Sequence, residues 1–153
     1  MIENNLTKLG LKLPEAAAPA ANYVPSVIQN GLLFISGQLP LAEGKLVQTG
    51  KLGDEVSVEQ GQEAARHCAL NILAQTNRAL DGDWSKFDRL VKLTSFVNST
   101  ADFAEHHLVT NGASDLLVEV LGDAGRHSRS AVGIANLPLN ASVEIEAIIA
   151  LKS

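Results

Sequence analysis

The sequence predicts an α+β domain with two helices packed on one face of a mixed β-sheet, and three observations carry that expectation. Two β-rich runs, Tyr23 to Gln29 and Leu32 to Ser36, meet at Asn30-Gly31, the dipeptide that most strongly signals a tight hairpin turn. Two segments with helical apolar spacing lie on either side of a further strand. The last quarter returns to strand twice, around Leu137-Pro138. Strands and helices in this order, without strict alternation, fit the α+β class.

Residues 1 to 22 read as an N-terminal arm and residues 23 to 153 as a single domain. In the arm, Asn5 to Leu11 suggests a short amphipathic turn, and Pro14 and Pro19 discourage regular structure after it. Beyond the first hairpin, Gly37 to Pro40 is looser and Gly44 to Val47 suggests a short strand. The clearest helix starts at Ser57, whose hydroxyl can cap the Gln60 amide while the glutamine side chain returns the bond. Ala65, Cys68, Ala69, Ile72, Leu73, Thr76, Ala79 and Leu80 then form one apolar stripe, and Gly82 ends it. Leu90 to Asn98 reads as a strand with Val91, Leu93 and Ser95 facing one way and Lys92, Thr94 and Phe96 the other. A second helix is expected over Thr110 to Leu121, stopped by Gly122. Arg129 to Asn136 and Ala141 to Leu151 complete the strands. In the last, Val143, Ile145, Ala147 and Ile149 alternate with Glu144, Glu146, Ile148 and Ala150, so both faces carry apolar surface. Two helices cover only one face, and self-association into a closed ring is the simplest cover for the other.

Composition narrows the function. The 153 residues are 46% hydrophobic and 19% charged, ordinary for a globular protein. No apolar run approaches the ~20 residues that span a bilayer, and the polar, acidic start resembles no targeting peptide, so the default expectation is cytoplasmic with no membrane partner. A net charge of -5 argues against nucleic acid. Arg126, His127 and Arg129 form a small patch better suited to a small anion. The single Cys68 can make neither an internal disulfide nor the usual thiolate metal site, and it reads as core. No phosphate-binding glycine loop is present, so no nucleotide cofactor is implied.

Arg129 and the pair Glu144 and Glu146 fall on two strands joined by a proline turn, close enough in sequence to suggest one pocket. A planar guanidinium grips a carboxylate through two parallel hydrogen bonds, and a glutamate beside it can move protons. The same residues also read as a cross-strand ion pair on a solvated face. Spacing leaves both readings open. His106 and His107 diverge by about 100° on a helix and make a poor chelating pair, so no metal site is implied. Ser114 and Asp115 could join a histidine in a hydrolytic triad, but no nucleophile elbow supports this and both read as helix surface. Trp84 reads as packing on the loop after the first helix. Tyr23 stands where the arm enters the first strand, either partly buried or with its phenol reaching a neighbouring pocket.

Tyr23-Val24, Ser36-Gly37-Gln38-Leu39-Pro40, Phe96-Val97-Asn98, Asp102-Phe103, Asn111, Arg129-Ser130-x-Val132, Ala135-x-Leu137-Pro138 and Val143-Glu144-Ile145-Glu146-Ala147 together resemble the Rid/YjgF family of reactive imine deaminases, also called endoribonuclease L-PSP. The resemblance covers residues 20 to 151. It implies a chorismate mutase-like fold and a homotrimer with intersubunit sites. It also implies hydrolysis of 2-imino or 2-enamino acids to 2-oxo acids and ammonia, without metal or cofactor. By the same resemblance Arg129 holds the substrate carboxylate and Glu144 positions water and relays protons. Tyr23, from the adjacent subunit, joins Ser36, Gly37 and Asn111 at the pocket, with Ala131 where cysteine is common. A non-catalytic protein binding a 2-oxo acid or other small carboxylate metabolite is the alternative, and endoribonuclease activity a third.

The chain departs from the family pattern in its longer arm, in extra residues between Phe103 and Asn111, and in Gly125-Arg-His-Ser128 ahead of the arginine. These departures suggest a divergent subgroup. Arg126 or His127 then either recognises a further polar group on a larger ligand or makes subunit contacts.

Overall fold

A computed structural model describes residues 2–19 and 21–153. The chain opens with helix α1 (Ile2–Lys8), and Ile2 and Leu6 are buried in the main core. Asn5 Nδ2 donates to the Val120 carbonyl at 2.8 Å, fastening α1 to the second long helix. The first helix of the arm is thus part of the packed body. Strand β1 (Ser26–Gln29) turns through Asn30 and Gly31, at φ 52° and 72°, into β2 (Leu32–Gln38), the left-handed pair that an Asn-Gly hairpin requires. A small ribbon of β3 (Leu41–Ala42) and β4 (Lys45–Leu46) follows.

Helix α2 (Val58–Ala79) starts with the expected reciprocal cap, Ser57 Oγ accepting from Gln60 N at 3.1 Å and Gln60 Oε1 from Ser57 N at 2.9 Å. Trp84 lies just beyond it and donates to Asn77 Oδ1 at 2.8 Å. Next come β5 (Phe87–Asn98), α3 (His106–Leu121), β6 (Ser128–Ile134) and β7 (Val143–Leu151). The main sheet runs β1-β2-β7-β5-β6, with β5 and β6 parallel and every other pair antiparallel.

Helices α2 and α3 pack together on one face, over Leu33, Ile35, Leu93, Val97, Ile145 and Ile149. Their backbones approach closely because position 112 is glycine: a Cβ there would lie 2.1 Å from the Gln62 carbonyl oxygen. No helix among the described residues is long and apolar enough to cross a membrane.

Three expectations need correction. The second long helix begins four residues earlier than its apolar period suggests, at His106 instead of Thr110. Glu105 makes no side-chain cap, so the start carries no sequence signal; His106 is instead held by Ser99 Oγ at 3.1 Å and by the edge of Phe103. Val91 does not face inward with Leu93, because a bulge between Leu90 and Lys92 buries Leu90 and turns Val91 outward. The strands flanking Leu137-Pro138 are not neighbours, since β5 lies between β6 and β7.

Candidate active site

The alternation of β7 and its pairing with β5 decide where each polar residue stands. Glu144 pairs with Phe96 and Glu146 with Thr94 on the sheet face that carries no helix. Glu144 leans over Gly37: a Cβ at that position would lie 2.8 Å from Glu144 Cδ, so only glycine leaves room for the carboxylate. This half-buried carboxyl sits above the usual carboxylate range, first because burial penalises its charge and second because Glu146 is close by. Ser36 is next to it on β2, with its hydroxyl donating to the Pro25 carbonyl at 2.9 Å and holding the rim to the segment that contains Tyr23. Tyr23 itself is 49% exposed. A groove of about 370 Å³ on this face is lined by Val24, Pro25, Phe34, Ser36, Thr94 and Glu146, among others.

Arg129 stands elsewhere. It shares register with Leu93, and Ala131 with Ser95, so both face the helices along the outermost strand. The guanidinium lies against α3, where Nη1 donates to Ser114 Oγ at 3.0 Å and Nη2 to the His107 carbonyl at 2.9 Å. Among the described residues it makes no ion pair, so the cross-strand pair with Glu144 or Glu146 is absent. Asn111 lies on the same helical stripe as His107 and Ser114, four residues after one and three before the other.

The structure therefore places Arg129 and Ala131 at one edge, beside the helical stripe that carries Asn111, and Ser36, Gly37 and Glu144 around the open face, with Tyr23 exposed ahead of β1. The two groups are separated by the sheet itself. A shared pocket for the arginine and the glutamate within one copy, suggested by their spacing, is not formed.

Two residues that the sequence placed elsewhere, Ser114 on the helix surface and His127 at a ligand group or subunit contact, meet at the arginine. Ser114 Oγ lies 2.9 Å from His127 Nε2, and His127 Nδ1 lies 2.6 Å from the Gly125 carbonyl. Burial chiefly, and the cation of Arg129 in addition, lower the imidazole's pKa. The signal was the spacing His107, Asn111, Ser114 along one helix face. Asp115 is exposed, and the third member of this chain of bonds is a backbone carbonyl, so it is no acid-base-nucleophile triad. Arg126 points away, 3.3 Å from Asp123 Oδ1. Cys68 is fully buried with its thiol pushed well up by burial.

Comparison with known proteins decides the family. Residues 3–150 match the family model described as "YjgF/chorismate mutase-like, putative endoribonuclease". The chain belongs to the Rid/YjgF family. Protein TCP17 of Trypanosoma cruzi is 49% identical to this Rid/YjgF chain over 150 residues, spanning 97% of it and 93% of TCP17. Among solved structures, Atu1372 of Agrobacterium tumefaciens, a protein of unknown function, is 54% identical with a TM-score of 0.93, covering 99% of this chain and 92% of its own. A "putative endoribonuclease" of Shewanella oneidensis is 38% identical with a TM-score of 0.95, covering 99% of both chains. TdcF of E. coli, solved with bound serine, is 26% identical with a TM-score of 0.65, covering 91% of this chain and 94% of its own. The mixed sheet with helices on one face is the chorismate mutase-like fold of these Rid/YjgF proteins.

Proposed function

We propose that this protein hydrolyses reactive 2-imino and 2-enamino acids to 2-oxo acids and ammonia, in sites shared between neighbouring subunits of a homotrimer. One observation carries the reading: the Arg129 charge is anchored by two neutral oxygens and opposed by no carboxylate among the described residues. A cation held in place and left unneutralised at a sheet edge suits an incoming organic anion.

The chemistry asks for little more. A 2-imino acid is electrophilic at C2, so orientation, a proton for nitrogen and a placed water suffice. The substrate carboxylate docks on Arg129, with Asn111 and the Ala131 backbone beside it. The neighbour contributes Glu144, Gly37 and Ser36 from its open face, together with Tyr23 from the entrance to β1. Water adds to C2 as the nitrogen takes a proton, the C–N bond then breaks, and ammonia leaves with the electron pair. Glu144 passes the protons, and its raised pKa suits both halves of that task.

The test is direct. An amino-acid oxidase generates 2-iminopropanoate, and its loss is followed with and without the protein; acceleration that Arg129→Ala abolishes is expected. No acceleration over buffer, or equal acceleration by Arg129→Ala, overturns the reading.

A second reading has its own support in the serine bound to TdcF. Under it, Arg129 holds a small amino or 2-oxo acid without turnover. Calorimetry that finds tight pyruvate binding in a preparation with no deaminase activity selects this alternative. The ribonuclease in the family's older name sits poorly with a net charge of -5.

A further inference from the structure

Arg129 is fixed by a relay of neutral groups that begins at a backbone carbonyl. A carbonyl oxygen only accepts, so the hydrogen between Gly125 O and His127 Nδ1, 2.6 Å apart, belongs to the ring. In the neutral imidazole Nε2 is then the acceptor, a tautomer assigned from the bonding pattern. Ser114, 2.9 Å from Nε2, gives its proton to the ring and turns a lone pair to Arg129 Nη1 at 3.0 Å. The depressed pKa of His127 agrees with a neutral ring.

Local sequence builds this arrangement. Gly125 lets the loop press on α3, because a Cβ there would lie 2.5 Å from the Leu117 carbonyl oxygen. From the other side, Arg89 Nη2 donates to the Arg126 carbonyl at 2.9 Å and pins the same loop to β5. Between these two constraints His127 has Ser114 in reach.

We infer that His127 is a positioning residue for Arg129, acting through Ser114 to fix the guanidinium in one orientation with its remaining N–H donors open to a carboxylate. The inference rests on the reading that Arg129 holds the substrate carboxylate. A mobile arginine must be ordered when the anion arrives, whereas this one is ordered beforehand. Without the Nε2 acceptor, the Ser114 hydroxyl loses the partner for its proton and turns to the carbonyl one turn back on its own helix, away from the geometry that serves Arg129. The bond to Arg129 also loses the polarisation that a chain of hydrogen bonds supplies.

The experiment compares wild type with His127→Ala, Ser114→Ala, the double variant and His127→Gln, whose amide oxygen can replace the ring acceptor. One readout is the 15N–1H signal of Arg129 Nε, recorded without ligand; the other is KM and kcat for 2-iminopropanoate. His127→Ala is expected to shift and broaden the Nε signal and to raise KM about tenfold, as weakening one charge-assisted hydrogen bond does, with kcat little changed. Ser114→Ala is expected to do the same, the double variant no more than either single one, and His127→Gln to restore most of the loss. Should His127→Ala not fold, Ser114→Ala and His127→Gln still decide the matter.

Unchanged Nε signal and KM in the folded variants overturn the inference, as do effects of the two single variants that simply add. Wild type without turnover overturns the deaminase reading instead, and the Nε signal then judges the relay by itself.

Discussion

Arg129 and Glu144 stand on opposite faces of one sheet, on strands that β5 separates. Arg129 shares the helix-covered face with Leu93, and Glu144 shares the open face with Phe96. With the guanidinium bonded to α3, one copy does not present both groups to one small molecule. Under the proposed assembly, a second copy laying its open face along the first copy's β6 edge would.

Complementation by mixing tests that geometry. Arg129→Ala and Glu144→Ala are each expected to be inactive, and an equal mixture, unfolded and refolded together, is expected to regain roughly a quarter of wild-type activity. The fraction follows from the proposed ring, in which each site would take the arginine from one copy and the glutamate from the next, each intact half the time. An inactive mixture of well-folded chains refutes the shared site.

The open face itself makes a second prediction. Phe34, Val27 and Val132 are 41%, 50% and 44% exposed there, an apolar surface that a neighbour would cover. Phe34→Glu is expected to yield a folded monomer without activity, read by light scattering and circular dichroism. A trimer of unchanged mass would contradict the assignment of this face.

Gly37→Ala separates site from scaffold. The added methyl meets the far end of the Glu144 side chain at 2.8 Å, while Gly37 has no left-handed φ that would strain the backbone. The carboxylate must shift to make room. A fall in kcat of about tenfold or more is expected with little change in the urea midpoint, since displacement of a catalytic group costs far more in rate than in stability.

Gly112→Ala is expected to do the reverse. Its methyl would lie 2.1 Å from a backbone oxygen of α2, which cannot rotate away, so the helices must separate. A loss of about 1–3 kcal/mol, typical of overpacking, is expected as a lower urea midpoint.

Glu144 also predicts a pH dependence. Its pKa is raised in the folded state, by burial and then by Glu146, so the folded chain holds this proton to higher pH than the unfolded chain does. Its ionisation therefore costs stability as pH rises from the unfolded carboxylate value through the folded one. Glu144→Gln is expected to be more stable than wild type at neutral pH, with the advantage vanishing in acid. For activity, Glu146→Gln removes the neighbouring charge and is expected to move the acid limb of kcat/KM to lower pH.

Much of the fold was legible because it rests on local chemistry. The Asn30-Gly31 turn, the Ser57–Gln60 cap and the in-out alternation of β7 each need only neighbours in the chain. Elements that rest on distant partners were not legible. The first turn of α3 depends on Ser99 and Phe103, and the turning of Val91 on a bulge against β7. At the candidate site, the residue types of Arg129 and of Glu144 and Glu146 pointed to carboxylate binding and proton transfer, and the place of Gly37 beside them came from the family resemblance. Ser114 read as helix surface and His127 as a ligand or subunit contact; their bond to each other was not legible, because it forms only when Gly125 lets that loop close on α3.

Charge, hydrogen-bonding capacity and periodicity belong to the residues themselves, and so the chain alone determined which side chains can hold an anion and that Glu144 faces away from Ile145. Strand order belongs to no residue. Only the tertiary structure set β5 between β6 and β7, and thereby put Arg129 and Glu144 on opposite sides of the sheet, because pairing between strands depends on which backbones meet after the chain has closed its core.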